Sequence, residues 1–124
     1  MVVSDDKIFV TGYDEKAIHV FKQSQFTSHD TDIVPIDTIS LDERPYDISE
    51  SQGALYIVLN NGTVEKRSPA SYELLKSFTG FEEGEFQFPS TLQFSGGMFY
   101  MVEDSLEEIS YGTVDEFSVK VYEE

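Results

Sequence analysis

The imidazole and thiol side chains on which acid–base, nucleophilic and zinc chemistry most often rest are few and scattered. There are two histidines, His19 and His29, and no cysteine, so no thiol nucleophile and no thiolate ligand is on offer. His29, Asp30 and Asp32 fall together in the polar run "SQFTSHDTD", and three such side chains are the beginnings of a divalent-metal site. A zinc site calls for more nitrogen or sulfur than this, and a solvated loop is the plainer reading. Glu82, Glu83 and Glu85 in "FEEGEF" offer oxygen ligands of the kind calcium accepts, but an acidic loop explains them equally. His19 lies in "AIHVF" between apolar neighbours, which reads as a packed or edge-strand histidine. No glycine-rich phosphate loop opens a helix and no Gly-x-Ser-x-Gly elbow occurs. "NGT" (61–63) matches a glycosylation acceptor, although the turn chemistry of Asn-Gly already accounts for it. No catalytic set, no metal site and no cofactor is implied.

Composition narrows the classes further. The chain has 124 residues, 40% apolar and 14% aromatic, enough for one compact core. Twenty-four acids against eight bases give a net charge of −16. Such a surface repels nucleic-acid phosphate and anionic lipid, and it suits a partner with a basic surface. Neither a signal peptide nor an apolar run of membrane-spanning length (~18–20 residues) is visible, so a cytoplasmic protein is the default expectation. Mimicry of nucleic acid is a third-rank reading, because no regular acidic stripe runs through the sequence.

Strand signals dominate. "KIFVTG" (7–12) and "AIHVFKQ" (17–23) flank "YDEK"; "ALYIVL" (54–59) and "TVEKRS" (63–68) flank "NNG"; "MFYMVE" (98–103) and "EEISYG" (107–112) flank "DSL". These read as three hairpins, with Asn61-Gly62 supplying positive φ angles. Each opens with an almost wholly apolar strand, the mark of burial on both faces. "RPYDISES" (44–51) and "PSTLQFS" (89–95) lead into the second and third hairpins through the tight turns "SQG" and "SGG", and Pro89 suits a strand entrance. "MVVS" (1–4) is a stub of the first leading strand. "VPIDTISL" (34–41), "YELLKSF" (72–78) and "FSVKVYE" (117–123) follow the hairpins as closing strands. The segment 68–78 has some helical spacing but reads as strand by analogy with its counterparts.

Ile8, Leu55 and Phe99 hold the same place in the three hairpins, at separations of 47 and 44 residues. That is the period of a four-stranded propeller blade. The expected fold is all-β: antiparallel four-stranded repeats at about 1–42, 43–80 and 81–124, forming a partial, three-blade β-propeller with "KIFV", "LYIV" and "FYMV" buried. A β-sandwich or barrel built of the same hairpins is the alternative.

"GEFQFPSTLQFSGGMFYMVEDSLEEIS" resembles an NHL repeat, with Gly84, Phe86, Pro89, Gly97, Tyr100, Val102 and Asp104 at matching places. "RPYDISESQGALYIVLNNGTVEKRS" looks like a weaker copy through Pro45, Gly53, Tyr56 and Val58, and "DDKIFVTGYDEKAIHVF" like half of a third. The Asp-x-x-Asn-x-Arg ending of such hairpins is missing. The resemblance implies an NHL-like or related β-propeller that binds ligands or proteins at one end. NHL-like lyases use histidine-rich metal centres, and no ligands here match those.

Propellers close with about four to eight blades, so an arc of three leaves two apolar flanks. Completion is expected either from a second copy, making a homodimeric six-bladed ring, or from a larger parent. Hairpin turns and blade-to-blade loops share one end, which would gather Tyr13, Asp14, Glu15, Arg44, Tyr46, Asn60, Asn61, Glu82, Glu83, Phe86 and Asp104. Aromatics mixed with acids suit a protein carrying Lys or Arg. The expectation is therefore a non-enzymatic protein-binding or assembly module. The rival is a hydrolase or lyase using Asp104, Glu82 or His29 at the centre of an assembled ring.

Overall fold

A computed structural model of the chain describes residues 1–27, 33–79, 87–109 and 112–124. These residues form three antiparallel sheets in sequence order. The first holds β1 (Val2–Ser4), β2 (Lys7–Gly12), β3 (Ala17–Lys22) and β4 (Asp37–Ser40); a 3₁₀ turn at Gln23–Thr27 follows β3. The second holds β5 (Pro45–Ser51), β6 (Ala54–Leu59), β7 (Val64–Arg67) and β8 (Leu74–Phe78). The third holds β9 (Gln87–Ser95), β10 (Met98–Ile109) and β11 (Gly112–Glu123), in the order β11-β10-β9. The segment 68–78 is extended as expected, ending in β8. Among the described residues no helix is long and apolar enough to cross a membrane.

The first two strands of each sheet are joined by a two-residue turn with both φ angles positive: Asp5-Asp6 (53° and 60°), Gln52-Gly53 (50° and 77°) and Gly96-Gly97 (58° and 79°). Such turns match the right-handed twist of the paired strands. They recur at the blade period, so the stub at residues 1–4 is a true inner strand. Its turn escapes notice because Asp-Asp lacks glycine, although aspartate tolerates this region.

The core explains the doubly apolar strands. All six residues of β6 are buried. Leu55, Ile57 and Leu59 pack against Phe9, Ile18, Val20 and Ile39 of the first sheet. Ala54, Tyr56 and Val58 pack against Leu92, Phe99 and Met101 of the third. The sheets are thus stacked face to face with the second in the middle, and β1 touches β5 while β5 touches β9, bringing the inner strands together. This is the stacking of propeller blades, not a closed sandwich or barrel.

Four expectations are corrected. First, burial of "KIFV" and "FYMV" is partial. Phe9, Phe99 and Met101 are buried, while Ile8, Val10 and Tyr100 are only half-buried. Ile8 and Val10 sit at the positions of Leu55 and Ile57, which face the preceding blade, and Tyr100 sits at that of Tyr56, which faces the following one. No described blade lies beyond the first or the third. Second, the third hairpin does not turn at "DSL". β10 runs through it to Ile109, which pairs with Gly112 of β11, and among the described residues the third sheet has three strands. "DSL" lacks the glycine or asparagine that most readily closes a tight hairpin turn. Third, Pro89 lies inside β9, opposite Glu103, beside a register shift on an edge strand. Pro45 holds the equivalent place opposite Leu59, also beside a shift. An edge or bulge is where a strand tolerates a missing N–H. Fourth, at "NNG" Gly62 has positive φ (87°) and its N–H donates to Leu59 O at 2.9 Å, but Asn61 does not take the positive φ expected of it.

The loop between β7 and β8 ties two blades together at the rim. Tyr72 donates to Asp37 Oδ2 at 2.7 Å, meets the Phe9 ring edge-on at 6.2 Å, and lies under the Lys7 ammonium. Within the interface, Glu65 is buried and paired with Arg67 at 2.9 Å, and Arg67 also donates to Tyr72 O. Burial, then the bond to Asp37, raises the Tyr72 pKa; burial, then the Glu124 carboxylate, raises that of Tyr56. A raised folded-state pKa means the folded chain holds these protons more tightly. Their contribution is complete below about pH 10 and lost as pH rises above it. Thermal melts from pH 8 to 11 should therefore show the melting temperature falling above pH 10, with a smaller fall in Tyr72→Phe.

Candidate interaction face

The β2–β3 turn (13–16), the β6–β7 turn (60–63) and the residues entering β5 lie at one end of the stack. Three backbone hydrogen bonds fix them: Leu41 N to Lys16 O, Asn60 N to Arg44 O, both 2.8 Å, and Lys16 N to Tyr13 O at 3.4 Å. The Arg44 guanidinium lies 5.5 Å from the centroid of the Tyr13 ring, a cation–π distance. Arg44 N–H donates to Glu43 Oε1 at 2.8 Å. Tyr46 is the extra residue at the register shift between Pro45 and Asp47. A bulge re-aims its side chain, and Tyr46 is 49% exposed beside a fully buried Pro45. Tyr13 is 44% exposed. Both rings are therefore displayed rather than spent on the core.

The structure brings Tyr13, Arg44 and Asn60 together and puts Asp14, Glu15 and Asn61 on the same two turns, all exposed. Asn61 Oδ1 accepts from Thr63 N at 3.1 Å, shaping its turn. Asp104 is different: it lies within β10, paired with Phe117 and five residues before the strand ends, so it is not a turn residue. Glu82, Glu83, Phe86, the neighbouring Glu85, and His29 with Asp30 and Asp32 lie outside the described residues. Sequence reasoning missed Asp42, Glu43 and Lys16 on this end. The signal was present in "LDER", where only the arginine was singled out. Asp42 and Glu43, with Asp14 and Glu15, leave this end with more acidic than basic side chains.

Among the described residues no group of three or more His, Cys, Asp or Glu side chains is placed to hold a metal. His19 is half-buried on β3. A Cβ on Gly12 would stand 2.6 Å from its Nε2, so the glycine makes room for the ring. This is the packed histidine expected. A concavity of about 560 Å³ lies at the opposite end, beside the Asp5-Asp6 turn, with Asp5, Asp6, Lys7, Lys22, Gln23 and Ser24 along its wall. Its carboxylates and ammonium groups are mixed, which makes no coherent field for one ligand charge.

No protein-family model matches the sequence, and no curated protein is similar to it beyond chance. Solved structures share the fold. The WD40 domain of Neurospora crassa Pan2 superposes with a TM-score of 0.64 at 16% identity, over 96% of this chain and 33% of that one. KlAtg21, solved in complex with the coiled coil of AgAtg16, gives 0.53 at 11% identity over 92% of this chain and 34% of that one. Kluyveromyces lactis Hsv2 gives 0.52 at 10% identity over 96% and 36%. The chain thus spans about a third of the length of these structures. They carry the propeller part of the sequence reading; the NHL part remains a resemblance of sequence.

Proposed function

We propose that this chain is a non-enzymatic protein-binding module, a three-blade propeller segment whose turn-bearing end docks a partner carrying lysine or arginine. The observation that carries this reading is the exposure of Tyr13 and Tyr46 at the end where Arg44 meets the Tyr13 ring, on segments that also carry Asp14, Glu15, Asp42 and Glu43. Tyrosine and arginine are the residues on which binding energy concentrates at protein interfaces, and the acidic surround selects the sign of the partner. That KlAtg21, alike in fold, was solved with a coiled-coil partner is in keeping with such a role. Completion of the ring, by a second copy or by further blades of a larger protein, belongs to the same reading, since both outer flanks keep apolar side chains in the open.

The test is a binding titration. A fluorescent peptide rich in Lys and Arg is expected to bind the chain saturably. The Tyr13→Ala/Tyr46→Ala pair should weaken it by about tenfold or more, with the melting temperature little changed because both rings are exposed. A peptide that binds the double variant as tightly as the parent chain would reject this face.

A further inference from the structure

Lysine and arginine are scarce in this chain, eight against twenty-four acids. Two of the eight stand directly opposite one another: Lys66 of β7 pairs with Lys76 of β8. Residues so paired put their side chains on the same face of the sheet, with Cβ atoms about 4.5–5.5 Å apart, and like charges there are destabilising. We infer that Lys66 and Lys76 form a receptor for one phosphate monoester, carried on a phosphorylated side chain of a protein partner. The site lies on the rim of the second sheet, apart from the Tyr13–Tyr46 face, so either can fail without the other.

Neighbouring rings hold both charges on that face. The Lys66 ammonium lies 5.8 Å from the centroid of the Tyr56 ring, and the Lys76 ammonium 4.8 Å from that of Phe78, both cation–π distances. Tyr56 is also the partner of Lys66 across the ladder, so Tyr56, Lys66 and Lys76 form one row over three strands. Tyr56 and Phe78 belong to the cluster shared with the third sheet, so the row opens where the second and third sheets meet. Lys76 is exposed there and Lys66 half-buried. Among the described residues neither ammonium is ion-paired. Arg67 and Glu65 pair with each other on the other face of β7, and Glu124, the carboxylate that acts on Tyr56, accepts from Gln52 Nε2 at 2.9 Å. A chain rich in carboxylates thus leaves two mutually repelling cations uncompensated.

The ligand must supply what the pair lacks, negative charge and hydrogen-bond acceptors. Each ammonium offers N–H donors and no acceptor. A phosphate monoester matches two of them, with a charge of about −1.5 to −2 and acceptor oxygens for both, whereas a single carboxylate leaves one lysine uncompensated. An anionic membrane surface would meet the field of a whole chain of net charge −16. One phosphoryl group seated on the pair meets mainly the pair, because charges farther than about 8 Å are screened at physiological salt. The surroundings favour a polypeptide as the carrier. Leu75 is the extra residue where the ladder shifts between Lys66 and Arg67, and both it and Leu74 are exposed. Apolar side chains flanking a phosphorylated residue can cover these leucines, which a free phosphate cannot.

The probe is the peptide acetyl-Gly-Leu-phosphoSer-Leu-Gly-amide, titrated into the full ¹⁵N-labelled chain at about 0.15 M salt. Saturable shifts are expected at the backbone amides of Lys66, Leu75 and Lys76, with an affinity at least about tenfold higher than that of the unphosphorylated peptide. Lys76→Gln should weaken the phosphopeptide by about tenfold or more. Lys22→Gln, which changes the net charge equally but on β3 of the first sheet, should keep it. The free Lys76→Gln chain should melt no lower than the free Lys22→Gln chain, because the substitution relieves a repulsion, so its lost affinity is not a lost fold. Absence of shifts at those amides, equal affinity for the two peptides, equal affinity of Lys76→Gln and the parent chain, or a lower melting temperature for Lys76→Gln than for Lys22→Gln overturns the inference. So does inorganic phosphate bound as tightly as the phosphopeptide, which would make the ligand a free anion. Sedimentation of the chain with phosphatidylserine vesicles that Lys76→Gln abolishes overturns it too, in favour of a membrane.

Discussion

Phe99→Ala should be the most damaging single truncation in the described part of the chain, costing about 3–5 kcal/mol in urea unfolding. Phe99 is fully buried and sits at the centre of an aromatic cluster. Its ring centroid lies 5.5 Å from Tyr56, 4.9 Å from Phe78, 6.0 Å from Phe94 and 4.9 Å from Tyr122. Truncation removes the filler and strands four partners, and each lost aromatic pair adds about 0.5–1.5 kcal/mol beyond area. Against a typical domain stability of about 5–15 kcal/mol, the third blade would come away from the second. Ile8→Ala supplies the contrast. Ile8 holds the same repeat position but has no described blade in front of it, and about 1 kcal/mol or less is expected. Equal costs at the two positions would contradict the stacking described here.

The second large effect is expected in solution mass. The first flank exposes Val3 (49%) with half-buried Ile8 and Val10, and Phe21 is partly covered by Phe26 at a centroid distance of 5.6 Å. The third exposes Val121 (52%) beside half-buried Met98 and Tyr100. Joining the two flanks on a second copy buries several hundred Å² of apolar surface, and at ~25 cal/mol per Å² this favours association by several kcal/mol before entropy costs. Two chains together carry −32, a repulsion screened beyond ~8 Å at physiological salt. Light scattering should show a dimer that tightens with added salt and is lost in Ile8→Glu. A monomeric mass at every salt and protein concentration would rule out closure by a second copy and leave completion to further blades of a larger protein.

The sequence made the hairpins legible where an unbroken apolar strand met a turn. β2 and β6 start and stop where "KIFVTG" and "ALYIVL" do. It was misleading at 104–109, because "DSLEEI" is polar. Strand there is imposed by pairing with β11 rather than by any pattern of its own, and pairing leaves no local trace. The site was half legible. Turn residues such as Tyr13 and Asn61 announce themselves through their neighbours, but the approach of Arg44 to Tyr13 joins positions in successive blades. The exposure of Tyr46 depends on one bulged residue that "RPYD" gives no reason to expect.

The two-faced burial of β6 also has a bearing on how the molecule comes apart. Its odd-numbered side chains belong to one interface and its even-numbered ones to the other. In a linear stack each unit is held only by its neighbours, so loss should begin at either end and reach the middle last. Transient openings would then expose the outer sheets separately, and amides of β6 would open only with the whole chain. A polypeptide that adds blades at either end would lengthen this gradient and protect the same strand more, which makes β6 a natural internal gauge of whether the ring is complete.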